Sequence, residues 1–458
     1  MLEVFSLTRA LYRRMNQYFS LFVLCLLALS LSAEDRYSGA DLTGIEPIVS
    51  AVQQSAEPWR AEADQRIRQH RMADLQLTVL KSGRPVSNAH VRVRLVNHAF
   101  QFGGIVNAKR MAAGTGELSA GQYRQTFLDF GFNHAGFNNG LKYKLRKGNE
   151  HLIPEQLEWF GAHEIPVRGH CLIWPGRDHM SREMTVLVKR CKADPSEQNK
   201  QALKQMCEMQ VADWAAKWDV FEWDVINETR GNFDVAKLLG EEVYIDWFNI
   251  ARANCVQPHA GLYLNENRVI SDTDPEVRSK KMVLYMKEVV QLLKQGAPLT
   301  GLGLQSRFHA MTPPETIYQR LCLLAGSRLS MTATEFEIGS NVEGELNKAI
   351  MTERVMTVYF SHPSVNGIYA WTLMPSGFEK AAERHILDEQ GAPNLRGKVW
   401  LYLMKQRWNT DSQLTTDEDG RVGLRGFWGD YEITVENEGG MQVIPLTLSE
   451  DLQQVIRL

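Results

Sequence analysis

The chain has 458 residues, which is long for one ordinary domain but suits a barrel of roughly 250–300 residues with additions. Hydrophobic residues make up 44% of the sequence, as in globular proteins, so a large buried core is expected. The formal net charge of −3 gives no argument for a nucleic acid or an anionic membrane surface as the partner.

The N-terminal segment has the layout of a secretory signal peptide. Arg9, Arg13 and Arg14 precede an apolar run from Phe19 to Leu31, and small and acidic residues follow. The run is about 13 residues long, which is too short to span a bilayer comfortably. We therefore expect residues 1–33 to be removed and the protein to be secreted or periplasmic. The alternative is an uncleaved N-terminal anchor.

Strand-like alternation occurs near both ends of the chain. Leu75–Leu80 and Ala89–Val96 flank a turn, and later strand-like stretches lie at Val422–Phe427, Tyr431–Val435 and Met441–Leu448. An isolated hairpin cannot hide its apolar face. The two ends are therefore predicted to form one small β-sandwich-like module.

Between these ends, strands and helices alternate in the βαβα order that indicates a parallel sheet. The predicted strands are Phe100–Val106, Phe132–Phe137, Val167–Leu172, Val220–Ile226, Gly261–Asn265, Gly301–Gln305, Leu329–Glu335 and Gly367–Trp371. The clearest predicted helices are Pro154–His163, Glu241–Asn254, Pro275–Gln295, Pro314–Ala325 and Val342–Tyr359. This α/β pattern favours a (β/α)8 TIM barrel over an open doubly wound sheet.

The same pattern of strands and helices divides the chain into consecutive units. Residues 34–98 carry a helix and the first β-hairpin, residues 99–410 form the barrel, and residues 411–458 supply the remaining strands of the β-module. The sequence has no G-x-G-x-x-G or P-loop pattern at a strand end, and no H-E-x-x-H or paired Cys-x-x-Cys pattern. Neither a cofactor nor a catalytic metal is therefore expected.

Five cysteines follow the predicted signal peptide, at positions 171, 191, 207, 255 and 322. An odd number argues against a full disulfide framework. Cys191 and Cys207 are close enough in sequence to form a pair, whereas Cys171 and Cys322 are predicted to be small buried apolar residues.

Two of the predicted strands end in a carboxylate. Asn227 and Glu228 follow the strand Val220–Ile226, and Glu335 ends the strand that begins at Leu329. In barrel enzymes the carboxyl ends of the strands converge on the active site. Two carboxyl groups on either side of a sugar C1 supply the acid/base and the nucleophile of glycoside hydrolysis.

Other polar and aromatic side chains occur at the same strand ends. They are Asn139, Lys142, His170, Trp174, Gln305, Arg307 and Trp371. Each has a structural alternative: the histidine could be a satisfied core residue, the tryptophans could be packing, and the lysine could be a solvated loop charge. Their convergence on one end of one barrel favours a site, because amides and lysine hold sugar hydroxyls and tryptophans offer flat faces to pyranose rings.

These residues lie in stretches that resemble glycoside hydrolase family 10, the retaining endo-β-1,4-xylanases. The matching stretches are Val167–Trp174, Trp223–Glu228, Gly301–Gln305, Thr334–Glu337 and Gly367–Trp371. The resemblance implies a barrel enzyme with Glu228 as acid/base and Glu335 as nucleophile, acting without a cofactor on a polysaccharide, xylan first. It also implies that Lys142, His170, Asn227, Gln305 and Trp371 line the subsite of bond cleavage, with Asn139 and Trp174 nearby. We expect a monomer.

Four positions depart from the family pattern. The pair Asn138-Asn139 stands where the family has Glu-Asn, Pro175 and Arg307 stand where it has histidines, and Phe378 stands where it has a second tryptophan. The reacting centre is kept while flanking contacts are changed. A different β-glycan is therefore an alternative substrate, and a non-catalytic carbohydrate-binding barrel is the alternative function.

Arg307 has a physical consequence of its own. A guanidinium cannot lose its proton, so it would favour both Glu335 and Glu337 as anions. The alternative is that Arg307 turns outward and His309 takes its place.

Overall fold

The structure is a computed structural model that describes residues 42–54, 57–375, 383–437 and 440–458. The predicted signal peptide, residues 1–33, and Phe378 lie outside the described residues. Within the described ranges, no helix is both long and apolar enough to cross a bilayer.

Eight parallel strands close into a barrel. Barrel strands one to eight are Gln101–Val106, His134–Phe137, Val167–Ile173, Glu222–Asn227, Gly261–Asn267, Gly301–Gln305, Ser330–Ile338 and Val365–Ala370. Strand seven pairs with strands six and eight, and strand eight pairs with strand one, which closes the ring. The short strand Arg307–Phe308 pairs with the end of strand seven. The predicted (β/α)8 barrel is confirmed.

The helices surround this barrel. From the N-terminal side they are Glu46–Gln54, Pro58–His70, Ala108–Ala113, Ala120–Phe130, Arg146–Asn149, Ile153–Ala162, Arg182–Ala193, Glu197–Lys217, Asp234–Leu239, Val243–Asn254, Lys280–Lys294, Pro314–Ala325, Glu345–Ser361 and Leu395–Tyr402. Short 3₁₀ turns lie at Tyr143–Leu145, Glu150–Leu152 and Arg177–His179, and a π-helical turn lies at Leu403–Arg407. Each of the five predicted barrel helices has a counterpart among these helices.

The longest helix among the described residues, Glu197–Lys217, was not among the predicted helices. Its buried positions include Leu203, Cys207, Gln210 and Trp214, which follow helical spacing. A cysteine and a glutamine at two of these positions blur the apolar stripe in the sequence. Gln210 is buried because its Nε2 donates to the carbonyl of Leu172 at the end of barrel strand three, at 2.8 Å.

Two further sheets combine strands from both ends of the chain. One has the order Arg421–Phe427, Met72–Lys81, Leu452–Arg457, with Arg84–Pro85 beside the central strand; the other has the order Asp411–Thr415, His90–His98, Gly429–Asn437, Gly440–Leu448. The predicted association of the two ends is confirmed by these pairings. The strands at 411–415 and 452–457 were not predicted.

Buried aromatic rings occupy the space beside two glycines of the barrel strands. A Cβ on Gly169 would lie 2.1 Å from the Trp223 ring, and a Cβ on Gly103 would lie 2.1 Å from the Tyr369 ring. Both rings are completely buried. Glycine is therefore required at these two strand positions because the neighbouring ring occupies the space of a side chain.

The cysteines differ in part from expectation. All five cysteines at positions 171, 191, 207, 255 and 322 are free thiols, so Cys191 and Cys207 do not form a pair. Cys171 is buried, but Cys322 is exposed, so the prediction of a buried Cys322 is wrong. Its helix, Pro314–Ala325, buries Leu321 and Leu324 instead, and position 322 falls on the outer side.

Candidate active site

Glu228 lies immediately after barrel strand four in the left-handed region, with φ 56°. This conformation breaks strand alternation, so Asn227 and Glu228 reach the same partner. Gln305 Nε2 donates to Glu228 Oε1 at 2.8 Å and lies 3.4 Å from Asn227 Oδ1. Asn232 Nδ2 donates to the other oxygen, Glu228 Oε2, at 3.1 Å. A non-glycine residue in this region costs roughly 1–2 kcal/mol, which the surrounding bonds must offset.

Glu335 lies at an irregularity near the end of barrel strand seven. The register with strand eight shifts between Ala333 and Phe336, and such a bulge redirects side chains. Consecutive residues therefore contact one side chain: Thr334 Oγ1 donates to Asn265 Oδ1 at 2.7 Å, and Asn265 Nδ2 donates to Glu335 Oε1 at 3.1 Å. Glu335 is only 2% exposed.

A chain of amides connects the two carboxylates. Asn265 Nδ2 also donates to Asn227 Oδ1 at 2.8 Å, so contacts run from Glu335 through Asn265, Asn227 and Gln305 to Glu228. Asn227 Nδ2 is buried and has no hydrogen-bond partner among the described residues. An amide donor of this kind suits a hydroxyl group of a bound sugar.

Arg307 points inward onto two carboxylates. Its Nε lies 3.0 Å and its Nη2 2.5 Å from Glu335 Oε2, and its Nη1 lies 3.4 Å from Glu337 Oε1. Although desolvation would lower it, Glu335 and Glu337 raise the pKa of Arg307 above its ordinary value. Glu337 also accepts from Arg384 Nη1 and Thr372 Oγ1, each at 3.0 Å. The alternative in which Arg307 turns outward is therefore wrong.

Lys142 lies between two tryptophan rings. Its Nζ is 5.1 Å from the centre of the Trp174 ring and 5.6 Å from that of Trp371, and it donates to Asn139 Oδ1 at 3.1 Å. Desolvation lowers the pKa of Lys142, and Glu335 partly opposes this shift. The ring of Trp371 also faces Arg307, whose Cζ lies 4.8 Å from the ring centre. These cation–π contacts hold the indole in place.

His170 is buried beside Trp371, with 5.6 Å between the two ring centres, and a carboxylate holds its imidazole in place. Its Nδ1 lies 2.8 Å from Asp224 Oδ2, and Arg168 donates to both oxygens of Asp224. Although burial alone would raise it, Arg168 and His170 hold the pKa of Asp224 below its ordinary value. The carboxylate therefore orients the imidazole towards the site.

The predicted site residues thus form one connected set at one end of the barrel. Contacts lead from Asn139 through Lys142 to Trp174 and Trp371, and from Trp371 through Arg307 to Glu335. Sequence reasoning did not select Asn265, Asn232, Thr372, Arg384 or His179 as site residues. Asn265 carried a signal, because it is a polar residue at the end of a predicted barrel strand. His179 did not: it lies in a short 3₁₀ turn after barrel strand three, where its ring stacks on Trp174 at 3.5 Å.

A buried network supports the loop that follows Glu228. Thr229 Oγ1 donates to Glu288 Oε2 at 2.7 Å, and Arg230 Nε donates to the same oxygen at 2.9 Å. The backbone N–H of Arg230 donates to Glu266 Oε2 at 2.9 Å. Burial raises the pKa of Glu266 to about 7, with Glu228 and Glu288 adding to the shift. The loop is therefore anchored by two buried carboxyl groups.

We expect Glu266→Gln to remove a pH dependence of stability. Because the pKa of Glu266 is raised on folding, native protein holds this proton to higher pH than unfolded protein does. Its contribution to the free energy of unfolding is complete below about pH 4.5 and is lost as pH rises through about 7. The free energy of unfolding is measured in urea at pH 5 and at pH 8. Its decrease between these two pH values should be about 2 kcal/mol smaller in Glu266→Gln than in the wild type.

The exposed carboxylate of Glu418 provides a matched control. Glu418→Gln removes one charge at the surface and should leave the pH dependence of the wild type unchanged. A hydrogen bond weakened in Glu266→Gln would lower stability equally at both pH values, so the difference between them is the readout. If the free energy of unfolding fell by the same amount between pH 5 and pH 8 in Glu266→Gln and in the wild type, the expectation would be wrong.

A family model agrees with this geometry. The model described as Glycosyl hydrolase family 10 matches residues 95–377, which is more than half of the chain and contains both carboxylates. Barrel strands one to eight lie within the match.

Curated proteins with similar sequences include an anti-sigma factor and a xylanase. The chain is 28% identical over 389 residues to Anti-sigma-I factor RsgI6 of Acetivibrio thermocellus, covering 83% of this chain and 47% of that protein. It is 26% identical over 383 residues to Endo-1,4-beta-xylanase 1 of Arabidopsis thaliana, covering 81% of this chain and 37% of that protein. The chain thus spans less than half the length of either relative.

Solved structures show the same fold. A GH10 endoxylanase from a sugarcane soil metagenome superposes with a TM-score of 0.54 at 17% identity, covering 67% of this chain and 97% of that one. Xylanase B from Clostridium stercorarium F9 gives a TM-score of 0.55 at 17% identity, covering 66% of this chain and 96% of that one.

Proposed function

Because the chain belongs to glycosyl hydrolase family 10, we propose that it is a retaining glycoside hydrolase that cleaves β-1,4-linked xylan by double displacement. The observation that carries the proposal is an asymmetry between the two carboxyl groups. Glu335 accepts hydrogen bonds from the guanidinium of Arg307, whereas the side-chain donors on Glu228 are the neutral amides of Gln305 and Asn232. A permanent cation favours an ionised nucleophile, and neutral donors permit a protonated acid.

In the first step, an oxygen of Glu335 attacks the anomeric carbon of the sugar and forms the glycosyl–enzyme ester. Glu228 gives its proton to the glycosidic oxygen, so the leaving chain departs as a neutral alcohol. In the second step, Glu228 takes a proton from water as the water oxygen attacks the same carbon. The ester bond breaks in this same step, and Glu335 returns as a carboxylate beside Arg307.

The remaining site residues suit binding of a polysaccharide. The unpartnered amide nitrogen of Asn227 and the ammonium of Lys142 are donors for sugar hydroxyls, and Trp174 and Trp371 supply aromatic surface. The similarity to Endo-1,4-beta-xylanase 1 supports xylan as the substrate. The departures at Asn138, Pro175 and Arg307 make a different β-glycan the second candidate.

We also propose the surrounding organisation of the chain from its sequence. Residues 99–410 are the catalytic barrel, and residues 34–98 and 411–458 complete a β-module attached to it. Residues 1–33 are a signal peptide, so the enzyme is secreted or periplasmic. It acts as a monomer.

Product analysis tests the activity and its stereochemistry together. Purified protein is incubated with xylan, mixed-linkage glucan and algal polysaccharides, and proton NMR follows the first product released. We expect cleavage of xylan with the β-anomer appearing first, because two displacements restore the configuration at C1. An α-anomer would contradict the retaining mechanism, and cleavage of another glycan alone would replace xylan as the substrate.

A further inference from the structure

A cavity of about 410 Å³ lies beside the active site and has a basic lining. Its size falls within the range of small-ligand sites, roughly 300–1,000 Å³. The polar side chains that line it are Asn107, Lys109, Asn138, Asn139, Lys144, Lys147 and Asn149. No aspartate or glutamate is among the described residues that line it.

The positive charge of this lining is not neutralised. Lys109 and Lys147 are exposed and form no ion pair with any described residue. Lys144 donates from its Nζ to the backbone carbonyl of Asp178, which satisfies one donor but carries no compensating charge. The cavity therefore has a positive potential that favours a bound anion.

Asn138 strengthens the same preference. It stands where the family pattern has a glutamate, whose charge would cancel part of the lysine field. Its Oδ1 is buried and has no hydrogen-bond partner among the described residues, so it is available to a hydroxyl donor. Position 138 therefore lacks the negative charge of the family's glutamate and has an unpartnered hydrogen-bond acceptor.

Asn139 connects the cavity to the catalytic cleft. It lines the cavity, and its Oδ1 accepts from Lys142, whose ammonium lies 5.6 Å from the ring centre of Trp371. A second cavity of about 270 Å³ also touches Asn139 and Lys142 and extends to Trp174. A glycan seated between the two carboxylates can therefore continue past Lys142 into the lysine-lined space.

We propose that this cavity is a subsite for an anionic sugar residue of the substrate, with a compact oxyanion, either a uronate carboxylate or a sulfate ester, held by Lys109, Lys144 and Lys147. The inference rests on the proposed function, since it extends the glycan-binding cleft of that enzyme. It assigns the protein a preference for acidic over neutral β-glycans.

The test compares substrates with and without an anionic group on the same glycan backbone. Glucuronoxylan is assayed against its carboxyl-reduced form, and sulfated xylan against unmodified xylan. The double variant Lys109→Ala with Lys147→Ala should lower kcat/KM on the anionic member of a pair about five- to tenfold and leave the neutral member unchanged. The wild-type preference should also shrink with added salt, because exposed charges are screened. A response confined to the glucuronoxylan pair identifies the oxyanion as a uronate carboxylate, and a response confined to the sulfated pair identifies it as a sulfate ester.

Lys294→Ala serves as the matched control. Lys294 is exposed at the C-terminal end of the helix Lys280–Lys294, at the opposite end of the barrel from the site. It should leave both rates unchanged. Equal wild-type rates on the charged and neutral members of both pairs, or equal losses on both in the double variant, would overturn the inference.

A direct binding measurement separates this inference from the proposed function. Calorimetry compares a xylo-oligosaccharide that carries a uronate with its carboxyl-reduced form, and a sulfated xylo-oligosaccharide with its unsulfated form; none of these measurements requires bond cleavage. If the wild type cleaves no substrate yet binds an acidic form more tightly, and the double variant loses that difference, the proposed hydrolase function fails and the anionic subsite stands. If charged and neutral forms of both pairs bind equally, the subsite is wrong whatever the activity.

Discussion

Replacing Glu335 with alanine is expected to lower turnover by about 10⁴-fold or more on every substrate, because the covalent intermediate can no longer form. Both natural polysaccharide and activated aryl glycosides need this nucleophile, so the loss should not depend on the leaving group. The measurement is kcat on xylan and on an aryl β-xyloside whose leaving group is dinitrophenol.

Azide makes the assignment of Glu335 specific. A small anion can occupy the space vacated in Glu335→Ala, next to the guanidinium of Arg307, and attack C1 from the same face. Azide should restore part of the rate on the activated substrate and yield the α-glycosyl azide. Glu335→Gln is the matched control, since its amide fills the space and should prevent rescue. Rescue that gave the β-azide would place the missing nucleophile on the other face.

Replacing Glu228 with alanine is expected to divide substrates by their leaving group. Cleavage of polysaccharide should fall about 10²–10⁴-fold, because the glycosidic oxygen must leave without a proton. An activated aryl glycoside needs no proton, so it should still form the glycosyl–enzyme. Its hydrolysis should then be slow, because Glu228 also activates the water, and a burst of aryl product should precede a slow steady state.

The anomeric configuration of the azide product again shows which face of the sugar is open to attack. In Glu228→Ala, azide should attack the glycosyl–enzyme from the acid/base side and give the β-glycosyl azide, opposite to the product of Glu335→Ala. Glu228→Gln should show the same division of substrates with weaker rescue, because its amide occupies the site. If the two alanine variants lost activity equally on both substrate types, the roles of Glu228 and Glu335 would be wrong.

Several features of the fold could be predicted from the sequence because they depend on local patterns. Barrel strand six was predicted at its observed bounds, Gly301–Gln305, since a short apolar run between turn residues has one simple interpretation. A helix start depends on the capping side chain as well as on the periodic pattern. The helix predicted from Pro275 begins at Lys280, because the side chain of Ser279 accepts from the backbone N–H of Met282 and caps it there.

The site was predictable to a similar extent. Glu228, Glu335 and Gln305 stand at ends of apolar strands, and a parallel barrel must bring such ends together. Asn232 and Arg384 could not be found this way, because they lie on irregular segments whose path depends on tertiary packing. The exposure of Cys322 was also beyond the sequence, since a small apolar residue on a helix fits either side.

The sequence by itself determined the barrel, the two carboxylates and the polar neighbours at the strand ends, because periodicity and strand-end polarity are local properties of the chain. Only the tertiary structure decided how these groups differ. It placed Arg307 on Glu335 and neutral amides on Glu228. It also set Lys109, Lys144 and Lys147 around one cavity without a carboxylate among its described lining. The electrostatic environment of each of these groups depends on distances of a few ångströms between residues far apart in sequence. The closure of the barrel fixes those distances.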